Sequence, residues 1–278
     1  MNWKVKANTL AVLSRMPGGR RLYHALQARL NARKKDDDNF LSREMIQAAA
    51  ADPRGGKYLE IGTGWRPFVP FLLYLVGAEQ IITYDANRWL NQAYALQTFA
   101  ALATRAGLIA ERLKLNVADL QKRVHAVGTP SDLEGFLRPM HIDYRCPADA
   151  RSTGLPAQSM DFMVSSNVLA HIPPEILRGI HQEGFRLLKP GGLVAHRSNL
   201  DDHFSYVDSS ITKANFLRFS EAQWRWYGGT GLGYHNRLRG VQHRRLLEGA
   251  VPVHPDFASF TPEEMAASYL WIVCKRPD

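Results

Sequence analysis

Glu60, Gly62, Gly64 and Asp85 have the types and spacing needed to hold an adenosine. The stretch YLEIGTG at 58–64 reads as a buried apolar strand, carried by Tyr58, Leu59 and Ile61, that runs into a glycine turn. Glycines there let the backbone bend sharply and approach a ligand. About twenty residues later, ITYDAN at 82–87 ends a second strand in Asp85, where a carboxylate can accept both hydroxyls of a ribose. Two features of the turn disfavour a dinucleotide. A GxGxxG fingerprint starting at Gly62 would put Pro67 where the third glycine is needed, and the Glu60 carboxylate repels a pyrophosphate while suiting the cationic ammonium of methionine.

A second cluster of titratable residues follows the fifth candidate strand: His196, Asp201, Asp202, His203, Asp208 and later His235. Taking a proton from an acceptor hydroxyl calls for a base whose tautomer a carboxylate fixes. His203 is the candidate base, with Asp202 or His196 as its support. His171, after strand four, is a further candidate, though a hydrogen-bonded structural histidine explains it as well. His196, Asp202 and His203 form too loose a set to be read as a metal site. Cys146 and Cys274 lack the spacing of a zinc site and the density of a disulfide framework. Trp224, Trp226 and Tyr227 would serve as a platform for a sugar or ring, or as a packed lid.

The elements that position these groups follow from periodicity and breakers. Strands are expected over 57–62, 80–85, 141–147, 160–169, 192–197 (GLVAHR) and 269–276, and helices from Pro67, from Arg88 to about Ala106, near 108–124 and over 174–188. Pro190-Gly191-Gly192 is expected to stop the last of these helices. Leu10, Leu13 and Met16, then Leu22, Leu26 and Leu30, recur at helical spacing around a break at Pro17-Gly18-Gly19. KKDDDN at 34–39 reads as a solvated hinge, with Asp38 or Asn39 capping the next helix. The expected division is an N-terminal helical extension or lid over 1–50, then one domain over 51–278. That domain carries a helical insertion near 107–140 and an acceptor-side region near 196–262.

With 278 residues, 45% hydrophobic and 22% charged, the chain is that of an ordinary globular enzyme. The net charge of +9 is local. Lys4, Lys6, Arg15, Arg20, Arg21, Arg29, Arg33, Lys34 and Lys35 meet no acid among the first 35 residues, and the 35 basic residues less these nine leave 26, matching the 26 acidic ones. A broad basic face for nucleic acid is therefore not expected, whereas the N-terminus could touch an anionic membrane surface. The longest apolar run, FVPFLLYLVGA at 68–78, is far short of the ~20 residues that span a bilayer. A reducing cytoplasm fits the two unpatterned cysteines.

EIGTG with Asp85, Asp149-Ala150 after strand three, SSNVLAHI after strand four and RLLKPGG before strand five stand together in one order. In that order the chain resembles the class I S-adenosylmethionine-dependent methyltransferases over roughly residues 55–200 and the last strand. The resemblance implies a Rossmann-like α/β fold with a mostly parallel sheet, helices on both faces and S-adenosylmethionine as cofactor. It implies that Glu60, Gly62, Thr63, Gly64 and Trp65 line the methionine end, that Asp85 and Ala86 meet the ribose, and that Asp149 and Ala150 face adenine. Ser165, Ser166 and Asn167 would lie beneath the cofactor. Arg66 replaces the third glycine of the usual GxGxG, so the turn beyond Gly64 must take its own path. The expected activity is methyl transfer to oxygen or nitrogen of a small, sugar-containing or lipid-linked acceptor. An NAD-dependent oxidoreductase and a non-catalytic cofactor-binding module are the alternatives. The aromatic motif of amino-methylating nucleic-acid enzymes is missing after strand four, where SSNV stands.

Overall fold

The computed structural model describes residues 1–32, 55–128, 130–248 and 269–277. The KKDDDN hinge with its cap, and the 249–262 part of the acceptor-side region, lie outside the described residues. Two helices come first, α1 (Trp3–Arg15) and α2 (Gly19–Ala32). Then follow β1 (Lys57–Ile61), α3 (Phe68–Val76), β2 (Gln80–Tyr84), α4 (Gln92–Ala103), α5 (Ala106–Leu113), α6 (Val117–Ala126) and α7 (Leu133–Leu137). β3 (Ile142–Arg145), β4 (Met160–Ser166), α8 (Pro174–Leu187), β5 (Leu188–Asn199), α9 (Glu221–Tyr227), α10 (Gly240–Glu248) and β6 (Tyr269–Lys275) complete the chain.

The strands form one sheet in the order β3-β2-β1-β4-β5-β6. β1 pairs in parallel with both β2 and β4, and only β6 runs antiparallel, along β5. Both faces of β1 are covered, which is why its sequence is a continuous apolar run broken only at Glu60. Tyr58 packs with Phe71 and Ile81 on one side, and Leu59 and Ile61 with Met163 and Leu187 on the other. The order of strands reverses between β1 and β4, and ligands of such sheets bind in the crevice at the carboxyl ends there.

Several boundaries differ from the sequence expectation, each for a local reason. The helix expected from Arg88 starts at Gln92, because Asn91 caps it by accepting from the Tyr94 amide. The single helix expected near 108–124 is two, α5 and α6, parted by Lys114 at φ 54° and by Asn116, whose side chain caps α6. Pro190-Gly191-Gly192 does not stop α8, which closes at Leu187; it lies inside β5, where the pairing with β4 shifts register between Met160 and Phe162. β4 ends at Ser166, so Asn167 to His171 belong to the loop beyond it.

α1 packs on the segment that follows β5. Trp3, Ala7 and Leu10 share one apolar cluster with Phe204, Phe216 and Trp224, and the Trp3 amide donates to the Asp208 carboxylate at 2.8 Å. The buried indole of Trp224 donates to the His235 carbonyl at 2.9 Å, so this member of the aromatic trio is packing.

Candidate active site

The crevice between β1 and β4 is bounded by the glycine turn on one side and the loop after Ser166 on the other. Gly62 sits at φ 84°, and a Cβ there would meet the Val168 side chain at 2.5 Å. Its glycine is therefore required by packing against the β4 loop. Gly64, at φ 66°, has nothing within 4 Å of where a Cβ would be, so it is the glycine that opens toward a ligand. Asp85 ties the second strand to this turn: its two oxygens accept from the Gly64 and Asn87 amides, each at 2.9 Å. Burial raises the Asp85 pKa, and those backbone hydrogen bonds oppose the rise.

Glu60 is buried and accepts from the Thr83 hydroxyl at 2.6 Å, and that hydroxyl also meets Thr63. Burial pushes the Glu60 pKa up to about 7, with Thr83 lowering it and the charge of Asp85 raising it further. Trp65 meets Trp89 in a tilted pair at 4.7 Å, and Trp89 in turn meets His24 of α2 at 4.3 Å, so α2 reaches the rim of the turn. Ala86 and Asn167 are exposed and Ala150 is buried. Asp149 is engaged by Arg151 at 2.6 Å, which holds its pKa below the usual carboxylate value.

The residues expected to supply a base do not come together as expected. Asp202 directs its carboxylate to the Phe204 amide at 2.9 Å and the Asn215 amide at 3.1 Å, capping the turn that carries His203. His196 lies within β5, fully buried, with Nδ1 2.8 Å from the Ser165 hydroxyl and its ring 5.3 Å from His181 of α8. Neither supports His203. The rings near His203 are His171, centred 5.0 Å away, His235, stacked at 4.1 Å, and Tyr206 at 5.7 Å. His171 and His203 follow adjacent strands, β4 and β5, and His235 arrives on the loop after α9, held by Asn236, which donates to the Leu169 and Ile172 carbonyls.

His171 is exposed in the crevice, and its Nδ1 lies 3.0 Å from the Tyr234 carbonyl, which can only accept. Nδ1 therefore carries the proton, and Nε2 presents a lone pair. All three rings are held neutral. Desolvation is the main cause in each case, lowering His171, bringing His203 to about 4 and setting His235 well below 6.5. The charge of Asp201 pulls His203 the other way. Asp201 is buried, accepts from the Tyr206 hydroxyl at 2.8 Å and pairs with Lys213 at 3.1 Å. Among the described residues, no three His, Cys, Asp or Glu side chains are placed to share a metal ion.

A family profile described as a methyltransferase domain matches residues 33–243. The chain belongs to that methyltransferase family. It is an S-adenosylmethionine-dependent enzyme of the class I superfamily, and the dinucleotide alternative falls with that membership. Solved structures of similar fold include a methyltransferase of Methanosarcina mazei, 16% identical with a TM-score of 0.45 over 81% of this chain and 93% of that one. SibL, an S-adenosylmethionine-dependent methyltransferase, is 16% identical with a TM-score of 0.42 over 86% of this chain. The [4+2]-cyclase SpnF is 18% identical with a TM-score of 0.40 over 74%. This methyltransferase spans 56% of the length of each of the last two. Likenesses so distant say nothing of the acceptor. No curated protein matches the chain.

S-adenosylmethionine fits the crevice residues. A buried carboxylate raised to about 7 is the partner a ligand ammonium would return to its charged form, and the space at Gly64 leaves its backbone free to approach a ligand. Asp85 keeps unused lone pairs for ribose hydroxyls after its two backbone bonds. Sequence reasoning missed Val168 and Trp89 and did not join His235 to His171. The Val168 contact follows SSN directly, but only the fold shows that it faces Gly62.

Proposed function

We propose that this methyltransferase acts in the cytoplasm on an oxygen or nitrogen of a small, sugar-containing or lipid-linked acceptor seated over His171, His203 and His235. One observation carries the reading: three neutral imidazoles converge at the carboxyl ends of β4 and β5, beside the cofactor crevice. The balanced charge of the chain beyond residue 35 supports a small acceptor over nucleic acid. When bound, S-adenosylmethionine supplies a methyl group activated on a sulfonium. The chain then has to hold the acceptor atom in line and take its proton.

His171 is the base in this reading, since it is exposed and the Tyr234 carbonyl fixes its tautomer. His203 flanks His171, and the buried His235 ring, stacked on His203, backs the pair. Glu60 and the 62–65 turn hold the methionine end, Asp85 and Ala86 the ribose, Asp149 and Ala150 the adenine, and Ser165 to Asn167 line the floor. An acceptor screen with methyl-labelled cofactor, followed by His171→Ala, tests the assignment. Turnover should fall about 10²- to 10⁴-fold while cofactor affinity, read by calorimetry, holds. A loss of only a few-fold returns His171 to a structural role. Because its pKa is lowered, the acid limb of kcat/KM should lie below pH 6.5.

A further inference from the structure

We propose that the outer face of α1, with the start of α2, docks on an anionic lipid bilayer. A surface helix normally turns polar side chains to solvent opposite its buried stripe. Here Trp3, Ala7, Leu10 and Ala11 face the protein, at about 100° per residue Val5 and Val12 fall on the opposite side, and Met16 stands just past the helix end. They are 59, 53 and 53% exposed. Leu22 and Leu26, one turn apart on α2, are exposed too. Of the twelve large apolar side chains that stand exposed among the described residues, six lie within residues 1–26, far more than an even spread would put there.

The flank of the stripe is built for an interface between water and hydrocarbon. Trp226, itself exposed, donates to Asn8 at 2.9 Å and lies under the Arg15 guanidinium at 4.6 Å, an indole with one wet end and one apolar end, as found at membrane surfaces. Lys4 and Arg21 are exposed, and nine cations with no acid among the first 35 residues match anionic headgroups in sign. That one-signed charge is what favours lipid over a second copy of the chain as the occupant. No described helix is long and apolar enough to cross a membrane, so the contact is superficial. The inner face of the same helix covers the region carrying His203. Resting on the proposed acceptor reading, this makes a lipid-borne acceptor the one delivered most directly.

Flotation of the full chain with vesicles tests the docking without any turnover, so its failure is distinct from failure of the acceptor reading. The wild-type chain should float with phosphatidylglycerol-containing vesicles and far less with pure phosphatidylcholine. The Val5→Asp/Val12→Asp variant should lose about tenfold or more in bound fraction while binding cofactor normally. Lys4→Glu with Arg21→Glu should lose roughly fivefold per removed cation. A wild-type chain that stays unbound, or an aspartate variant that floats equally well, overturns the proposal. So does a wild-type dimer that Val12→Asp dissociates, since the stripe would then belong to a second copy.

Discussion

In the proposed reading, Asp85 serves the fold and the ligand with the same carboxylate. The Gly64 and Asn87 amides occupy one acceptor position on each oxygen, and the remaining lone pairs are those a ribose would use. Asp85→Ala should therefore weaken cofactor binding by about 1 to 3 kcal/mol, and it should also lower the unfolding midpoint because two half-buried amides lose their acceptor. Calorimetry and thermal melts read the two effects separately; unchanged affinity would place the ribose contact elsewhere. The two turn glycines should also part company. Both need positive φ, but only Gly62 faces a neighbour, Val168. Gly62→Ala should cost more stability than Gly64→Ala, which carries about 1 to 3 kcal/mol of backbone strain alone; equal losses would show that the β4 loop yields.

At the scale of elements, α1 behaves as part of the apolar core formed by the segment after β5. Trp3 is buried among Phe204, Phe219 and Tyr227, with ring centres 5.1 to 5.6 Å away. Trp3→Ala should cost about 3 to 5 kcal/mol in urea unfolding, with cofactor affinity of the folded fraction little changed, because these contacts lie away from the glycine turn. A loss under about 1 kcal/mol would mean that α1 is a loosely held strap. The sheet was legible because buried parallel strands write themselves as apolar runs, and EIGTG and Asp85 mark strand ends by residue type. The break between α5 and α6 was not, because it is made by Lys114 in the left-handed region, where a glycine would have announced it. Pro190-Gly191-Gly192 misled for the converse reason: its residues usually stop elements, yet here they form an irregularity within β5. The acceptor side was half legible. Nearness in sequence grouped His196, Asp202 and His203, but His196 points from β5 into the core, and His235 reaches the cluster only through the packing of its loop.

Across the whole molecule, the buried histidines set the response to acid. His181 of α8, His196 of β5 and His243 of α10 form a second buried histidine cluster, joined to the end of β4 through the His196–Ser165 contact. Neither ring nitrogen of His181 or His243 has a hydrogen-bond partner among the described residues. Desolvation, with His243 adding to it for His181 and Arg239 for His243, brings each to about 4. An unfolded chain takes up these protons near the ordinary value of about 6.5 while the folded chain refuses them until about 4, so stability must fall as pH drops through that window and level off below it. Between pH 7 and pH 5 each contributes a loss of about 2 kcal/mol. Glu60 works against this: its folded pKa of about 7 lies above the unfolded value, so acidification through the same range stabilises the fold by about 2 kcal/mol, less than the histidines together remove. The urea midpoint should therefore drop from pH 7 to pH 5. His181→Leu with His243→Leu, which removes unpaired polar atoms from an apolar setting, should flatten much of that drop with little cost at pH 7. If the double variant loses as much stability on acidification as the wild-type chain, the acid sensitivity arises elsewhere, with the His171, His203 and His235 cluster the next place to look.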